Sequence, residues 1–236
     1  MTAEELTQAQ ENLHKEIQVF AEKNCSANEE LCPIYDGIAN IDAYLKSPLK
    51  IMWILKEPYD EDGGGWQISE AYKNDDKNRA TYRRMAYSAY GFNHKMYYDE
   101  ICKIIDKESK VSVLDSIAYI NLSKMPGNKK TSDAAAKAYY TLWKDILHKQ
   151  IKTYDPDVII FGGTGTMKCF EFDNEPQLFE TFFNSDVKKT CNAELYQHKD
   201  KWLISIEHPA VPGVNDDVYI DSLIDALETI LEHRKS

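Results

Sequence analysis

Glu57, Asn121 and His208 carry side chains suited to chemistry on a planar, polar ligand, and each stands at the end of a short apolar run. Glu57 follows Lys50–Leu55 and precedes Pro58. A carboxylate stiffened by proline can act as a general base or steady a cationic intermediate. Asn121 lies at the end of Ser116–Leu122. An Asn side chain offers a carbonyl and an amide side by side, the pair needed to read the edge of a base. His208 follows Trp202–Ile206 and opens the segment Pro209-Ala210-Val211-Pro212-Gly213. The fixed φ of proline stiffens such a segment, which suits a preorganised donor or a wedge pushed into a duplex. Beyond Glu57 come Tyr59, Asp60, three glycines at 63–65 and Trp66, an aromatic that can stack on a flat ring. Each residue also has an ordinary role: an acidic surface loop with a tucked-in Trp, a capping Asn, a surface His.

These residues need a scaffold. Lys50–Leu55, Ser116–Leu122, Val158–Phe161 and Trp202–Ile206 read as buried strands, while Ser132–Ile151 and Asp216–Leu231 have helical periodicity. Residues 2–23 also read as a helix, with Thr2 and Glu5 as a capping box and Leu6, Leu13, Ile17 and Phe20 on one face. Strands alternating with helices predict a three-layer α/β/α sandwich around a central four-stranded parallel sheet. Residues 1–236 read as one domain, with a helical extension over about 1–45. In open α/β sheets ligands bind outside the carboxyl ends of the strands, where Glu57, Asn121 and His208 fall. Gly162-Gly163-Thr164-Gly165-Thr166 also follows a strand, but it lacks the third glycine of a dinucleotide fingerprint, and Lys168 is not in a Walker pattern. It reads as a tight strand–helix turn.

Composition narrows the classes. Hydrophobic residues are 43% and charged residues 28% of the chain, ordinary for a globular protein. The N-terminus is polar and acidic and no apolar run is long enough to span a bilayer, so a cytoplasmic, non-membrane protein is expected. Lys and Arg number 28 against 39 Asp and Glu, a net charge of −11 that argues against coating DNA non-specifically. Local basic patches remain at Arg79, Arg83, Arg84 and at Lys124, Lys129, Lys130. The cysteines at 25, 32, 102, 169 and 191 are odd in number, irregularly spaced and form no Cys-x-x-Cys pair. They read as buried free thiols, with no metal or cofactor expected.

Taken together, the strand-end motifs resemble the uracil-DNA glycosylase superfamily. Leu55-Lys56-Glu57-Pro58-Tyr59-Asp60 is similar to that family's water-activating stretch, and Asn121-Leu122-Ser123-Lys124-Met125-Pro126 to its Asn-x-x-Lys-x-x-Pro segment. Asp155-Pro156-Asp157-Val158 onward resembles its third strand, and His208-Pro209-Ala210-Val211-Pro212 its histidine loop. The resemblance implies hydrolysis of the N-glycosidic bond of uracil or another damaged base in DNA, by a monomer without metal. Glu57 would position the attacking water or stabilise the sugar cation, and His208 would stabilise charge on the departing base. Tyr59 would crowd the 5 position, Asn121 would read the base edge and Trp66 would stack. Lys124, Pro209, Ala210 and Val211 would contact DNA, Val211 near the wedge. The chain departs from the family at Lys56, Asp60 and Ala210, lacks the iron–sulfur cysteines, and carries an unmatched insert at Gln67–Lys110. A catalytically diverged member that binds a nucleobase, nucleotide or nucleic acid without turnover is the alternative. A structural protein using acidic helices as its contact surface is a third.

Overall fold

Ile51–Leu55, Ala118–Asn121, Val158–Gly162 and Lys201–Ile206 are strands buried almost throughout, because both faces of each run are apolar and both are covered. The protein is described here by a computed structural model, which covers residues 1–25, 31–75, 78–127, 131–182 and 192–235. Lys129, Lys130 and Cys191 lie outside the described residues. The elements in order are α1 (Ala3–Asn24), β1 (Gly37–Ile38), α2 (Ile41–Lys46), β2 (Ile51–Leu55), α3 (Ile68–Lys73), α4 (Ala80–His94), α5 (Tyr98–Ile104), α6 (Lys107–Asp115) and β3 (Ala118–Asn121). Then come α7 (Asp133–Tyr154), β4 (Val158–Gly162), α8 (Thr164–Cys169), β5 (Gln177–Phe182), β6 (Ala193–His198), β7 (Lys201–Ile206) and α9 (Asp216–His233).

Among the described residues seven strands form one mixed sheet, ordered β1-β3-β2-β4-β7-β6-β5. The expected four-stranded parallel sheet is therefore corrected. β3, β2, β4 and β7 are adjacent and mutually parallel, but β1, β6 and β5 extend the sheet at both edges in antiparallel pairing. The edge strands lack the apolar runs by which the central ones are recognised. β1 has only two residues, and β5 exposes most of its side chains, Leu178 and Phe179 among them. β6 and β7 are joined by a two-residue turn at Lys199-Asp200, with Lys199 in the left-handed region at φ 56°.

Alternation along each strand sends side chains to two buried clusters. Met52, Ile54, Ile120 and Phe161 face α1, α2, α7 and α8. Trp53, Ile160, Ile204 and Ile206 face α3, α4, α5, α6 and α9. Leu6, Leu13, Ile17 and Ala21 of α1 belong to the first cluster, so the N-terminal helix is part of a layer rather than an appendage. Its capping box at Thr2 and Glu5 is formed. The insert 67–110 contributes α3, α4 and α5, which cover the opposite face.

The thiols depart from expectation. Cys169 is buried, Cys25 is half-buried, and Cys32 and Cys102 are exposed, because Ile34 and Ile101 take the inward positions of their segments. Among the described residues no helix is long and apolar enough to cross a membrane.

Ile54 is fully buried at the centre of the sheet. Ile54→Ala is expected to destabilise the fold by about 2–5 kcal/mol, read from the shift in urea midpoint at unchanged slope.

Candidate functional site at the carboxyl edge of the sheet

Because β3, β2, β4 and β7 run parallel, their carboxyl ends share one edge. In register across that edge stand Asn121, Leu55, Gly162 and Ile206, with the side chains of Asn121, Leu55 and Ile206 toward the same face. Gly162 is a glycine for a spatial reason. A methyl group there would run into Leu55 Cδ2 and lie 3.1 Å from Pro209 Cδ, so the histidine loop packs directly on the strand end.

Beyond this row the loops are bonded in two pairs, those after β2 and β3 and those after β4 and β7. Leu122 N–H donates to the Leu55 carbonyl (2.8 Å) and Ser123 N–H to the Lys56 carbonyl (3.0 Å). Gly163 N–H donates to the Ile206 carbonyl (2.7 Å). A Cβ placed on Gly163 would lie 3.4 Å from Lys56 Cε and 3.9 Å from His208 Cβ, so both side chains approach that glycine. The Gly162–Thr166 segment itself is a tight strand–helix turn, with Gly163 at φ 118° and Thr166 N–H donating to the Gly163 carbonyl.

Glu57 turns toward the start of α7. Its carboxylate lies against Gly127 and accepts a short hydrogen bond from the Thr131 hydroxyl. Tyr139 lies close by, and burial together with the neighbouring Glu57 carboxylate pushes that phenol up to about 12. Lys56 Nζ donates instead to Asp133 Oδ1 (3.2 Å) and the Thr131 carbonyl (3.3 Å). Thr131, Asp133 and Tyr139 were not singled out from sequence; their signal was only their place at a helix start, Ser132 being the N-cap.

Asn121 is 1% exposed, and its carboxamide oxygen and nitrogen both lack a hydrogen-bond partner among the described residues. The amide lies near the Tyr119 hydroxyl: burial drives that phenol well above its ordinary value and Asn121 pulls it the other way. No hydrogen bond of good geometry joins the two. A buried amide left in this state costs about 1–3 kcal/mol per group, which is tolerated where a ligand or water completes it.

His208 is half-buried, and its Nδ1 accepts from Ala210 N–H at 3.0 Å. The proton of the neutral ring therefore sits on Nε2, which is a donor. Burial first, and then the Lys56 charge, lower the His208 pKa from 6.5 to about 4. The loop that carries it is held from below by Arg84, a residue of the insert and only 4% exposed. Arg84 donates to the carbonyls of Pro209 (2.9 Å), Val211 (3.3 Å) and Val214 (2.6 Å), and to Asp216 Oδ1 (2.7 Å).

The remaining expected contacts divide. Tyr59 is 41% exposed and Ala210 is exposed, whereas Pro209 is buried against Gly162 and Val211 packs partly on the core. Trp66 is half-buried near Asp60, whose carboxylate accepts from Asp62 and Gly64 N–H. Burial pushes the Asp60 pKa up, but these hydrogen bonds outweigh it and leave it lowered. They brace a turn in which Gly63, Gly64 and Gly65 all have positive φ, and where a side chain at 64 would strike the Cys32 carbonyl.

Lys124 is not a surface contact. It is fully buried, 2.7 Å from Asp36 Oδ2, with its pKa lowered by burial against the opposing pull of Asp36. The arginine patch is engaged likewise: Arg79 lies 3.5 Å from Asp75, and Arg83 2.8 Å from Asp216. A residue with 0% exposure reaches no phosphate, and an arginine clamped on three carbonyls is not available to one. Among the described residues no cluster of three or more His, Cys, Asp or Glu could hold a metal ion.

No family model matches this chain, and no curated protein matches it.

Because His208 titrates near 4 when folded and near 6.5 when unfolded, the unfolded chain takes up the proton first as pH falls. Its contribution to stability is thus complete above about 6.5 and disappears as pH drops toward 4. An NMR titration of the His208 ring should show the low midpoint. Lys56→Gln should raise it, though still short of the ordinary value, because burial is the larger cause. Arg84→Ala strands the Asp216 carboxylate and three carbonyls; a loss of about 3–5 kcal/mol and faster amide exchange over 208–214 are expected.

Proposed function

We propose that this protein is a DNA-glycosylase-like hydrolase that cleaves the N-glycosidic bond of uracil or another damaged base in DNA, acting as a monomer in the cytoplasm on a flipped or single-stranded nucleotide. The observation that carries the reading is Asn121: a buried carboxamide at the strand edge whose donor and acceptor are both unmet within the described protein. That is the complement of a base edge, which presents an acceptor and a donor together.

Glu57 and His208, which follow other strands along the same sheet edge, suit the same chemistry. Glu57, its direction set by the Thr131 hydroxyl, would take a proton from water adding to the sugar C1′. The electrons of the breaking C1′–N bond would pass to the base. His208, neutral and protonated on Nε2, would donate a hydrogen bond to the negative charge developing there. Tyr59 would border the base and Trp66 would offer a stacking face, while Ala210 and Val211 on the Arg84-held loop would meet the DNA.

A second reading has its own support. With Lys124 and Arg84 internal and a net charge of −11, few of the expected phosphate contacts remain. A diverged protein of this kind would bind a base or nucleotide without turnover.

Base release from uracil-containing single- and double-stranded DNA separates the two. Glycosylase activity should fall about 10²–10⁴-fold in Glu57→Ala or His208→Ala. In Asn121→Ala the preference for one base should relax. Binding of free uracil with no release from any of a panel of damaged substrates would select the second reading instead.

A further inference from the structure

The backbone of Asn121 is held by side chains where a strand partner would be expected. On one side of β3 at this level, Leu122 N–H donates to Leu55 of β2. On the other side β1 reaches only as far as Gly37, paired with Tyr119. There Asn121 N–H donates to Asp36 Oδ2 at 2.8 Å, and Lys124 Nζ donates to the Asn121 carbonyl at 2.8 Å. The two side chains are themselves paired, Nζ lying 3.0 Å from Oδ1 and 2.7 Å from Oδ2 of Asp36. Gln150 of α7 adds a further donor to Asp36 Oδ1 at 2.8 Å, and His14 of α1 bonds the Asp36 carbonyl at 3.0 Å. Both backbone polar groups of Asn121 are thereby satisfied, and its carboxamide is not.

We propose that Asp36 and Lys124 are a positioning pair whose role is to present the Asn121 carboxamide to the ligand. The role rests on the reading of Asn121 as a base-recognition group. The mutual attraction of the two charges is by itself weak cause for the pair, since a buried ion pair is often replaceable by apolar side chains of similar volume at no cost. What an apolar pair would not supply is a hydrogen bond to each backbone group of Asn121, leaving the end of β3 free to twist and the carboxamide free to turn. A 1 Å displacement of a recognition group is enough to weaken binding severely.

The test is the double variant Asp36→Leu, Lys124→Met, compared with wild type by thermal denaturation, by the side-chain amide NMR signals of Asn121 and by titration with free uracil. The expected result is a folded protein with a lowered melting temperature, because the Asn121 backbone groups and Gln150 Nε2 lose their partners, together with shifted and averaged Asn121 amide signals and uracil affinity weakened at least about tenfold. A folded double variant with unchanged Asn121 signals and unchanged affinity overturns the proposal. Should the double variant not fold, Gln150→Met removes one donor from Asp36 and keeps both charges. Displaced Asn121 signals and severalfold weaker binding in that variant support the pair, and wild-type values overturn it. If wild-type protein binds no uracil, the base-recognition reading fails by itself, and the Asn121 signals still decide whether Asp36 and Lys124 position that side chain.

Discussion

Lys124 and Asp36 form an ion pair with both side chains essentially out of water, and four parts of the chain converge on it. Asp36 comes from the segment leading into β1, Lys124 from the loop after β3, Gln150 from α7 and His14 from α1. An isolated charge in such a place costs several kcal/mol, so neither partner can leave without the other and their supports must assemble together. This couples the first helix, the edge of the sheet and the loop after Asn121 into one arrangement. The same charges that hold the scaffold hold the end of β3.

At the other end of the row of strand ends, Arg84 plays a comparable part. Its guanidinium fans out to three carbonyls and a carboxylate, using the planar fork of donors that lysine lacks. The loop bearing His208 is therefore set by a helix from the insert that covers the opposite face of the sheet. Both cations lie inside, which leaves the site characterised by aimed neutral and polar groups rather than by a basic surface. Under the proposed function, recognition would fall mainly on the base and less on the phosphates, in keeping with the acidic balance of the chain.

The central strands were legible because each is a short run of apolar residues, the pattern of a strand buried on both faces. The long helices α1, α7 and α9 were legible from their periodicity, and α1 from its capping box as well. β5 was not, since its side chains are mostly exposed, and neither was the two-residue β1. Asp36 gave no signal either. A lone aspartate before a glycine reads as a turn, and its importance comes from a lysine 88 positions away in sequence.

Sequence by itself determined the residue types at the strand ends: a carboxylate before a proline, an amide closing a strand, a histidine opening a stiff loop. These follow from local order along the chain, and so did their common edge once the strands were parallel. Tertiary structure decided which charges face water and which face each other. Lys124 and Arg84 read as surface cations, because burial of a charge depends on a distant partner and no local pattern encodes it. It also decided that Lys56 bonds to Asp133 rather than standing free, that Asp60 braces the glycine turn, and that the Asn121 carboxamide is left open while its backbone is fully held.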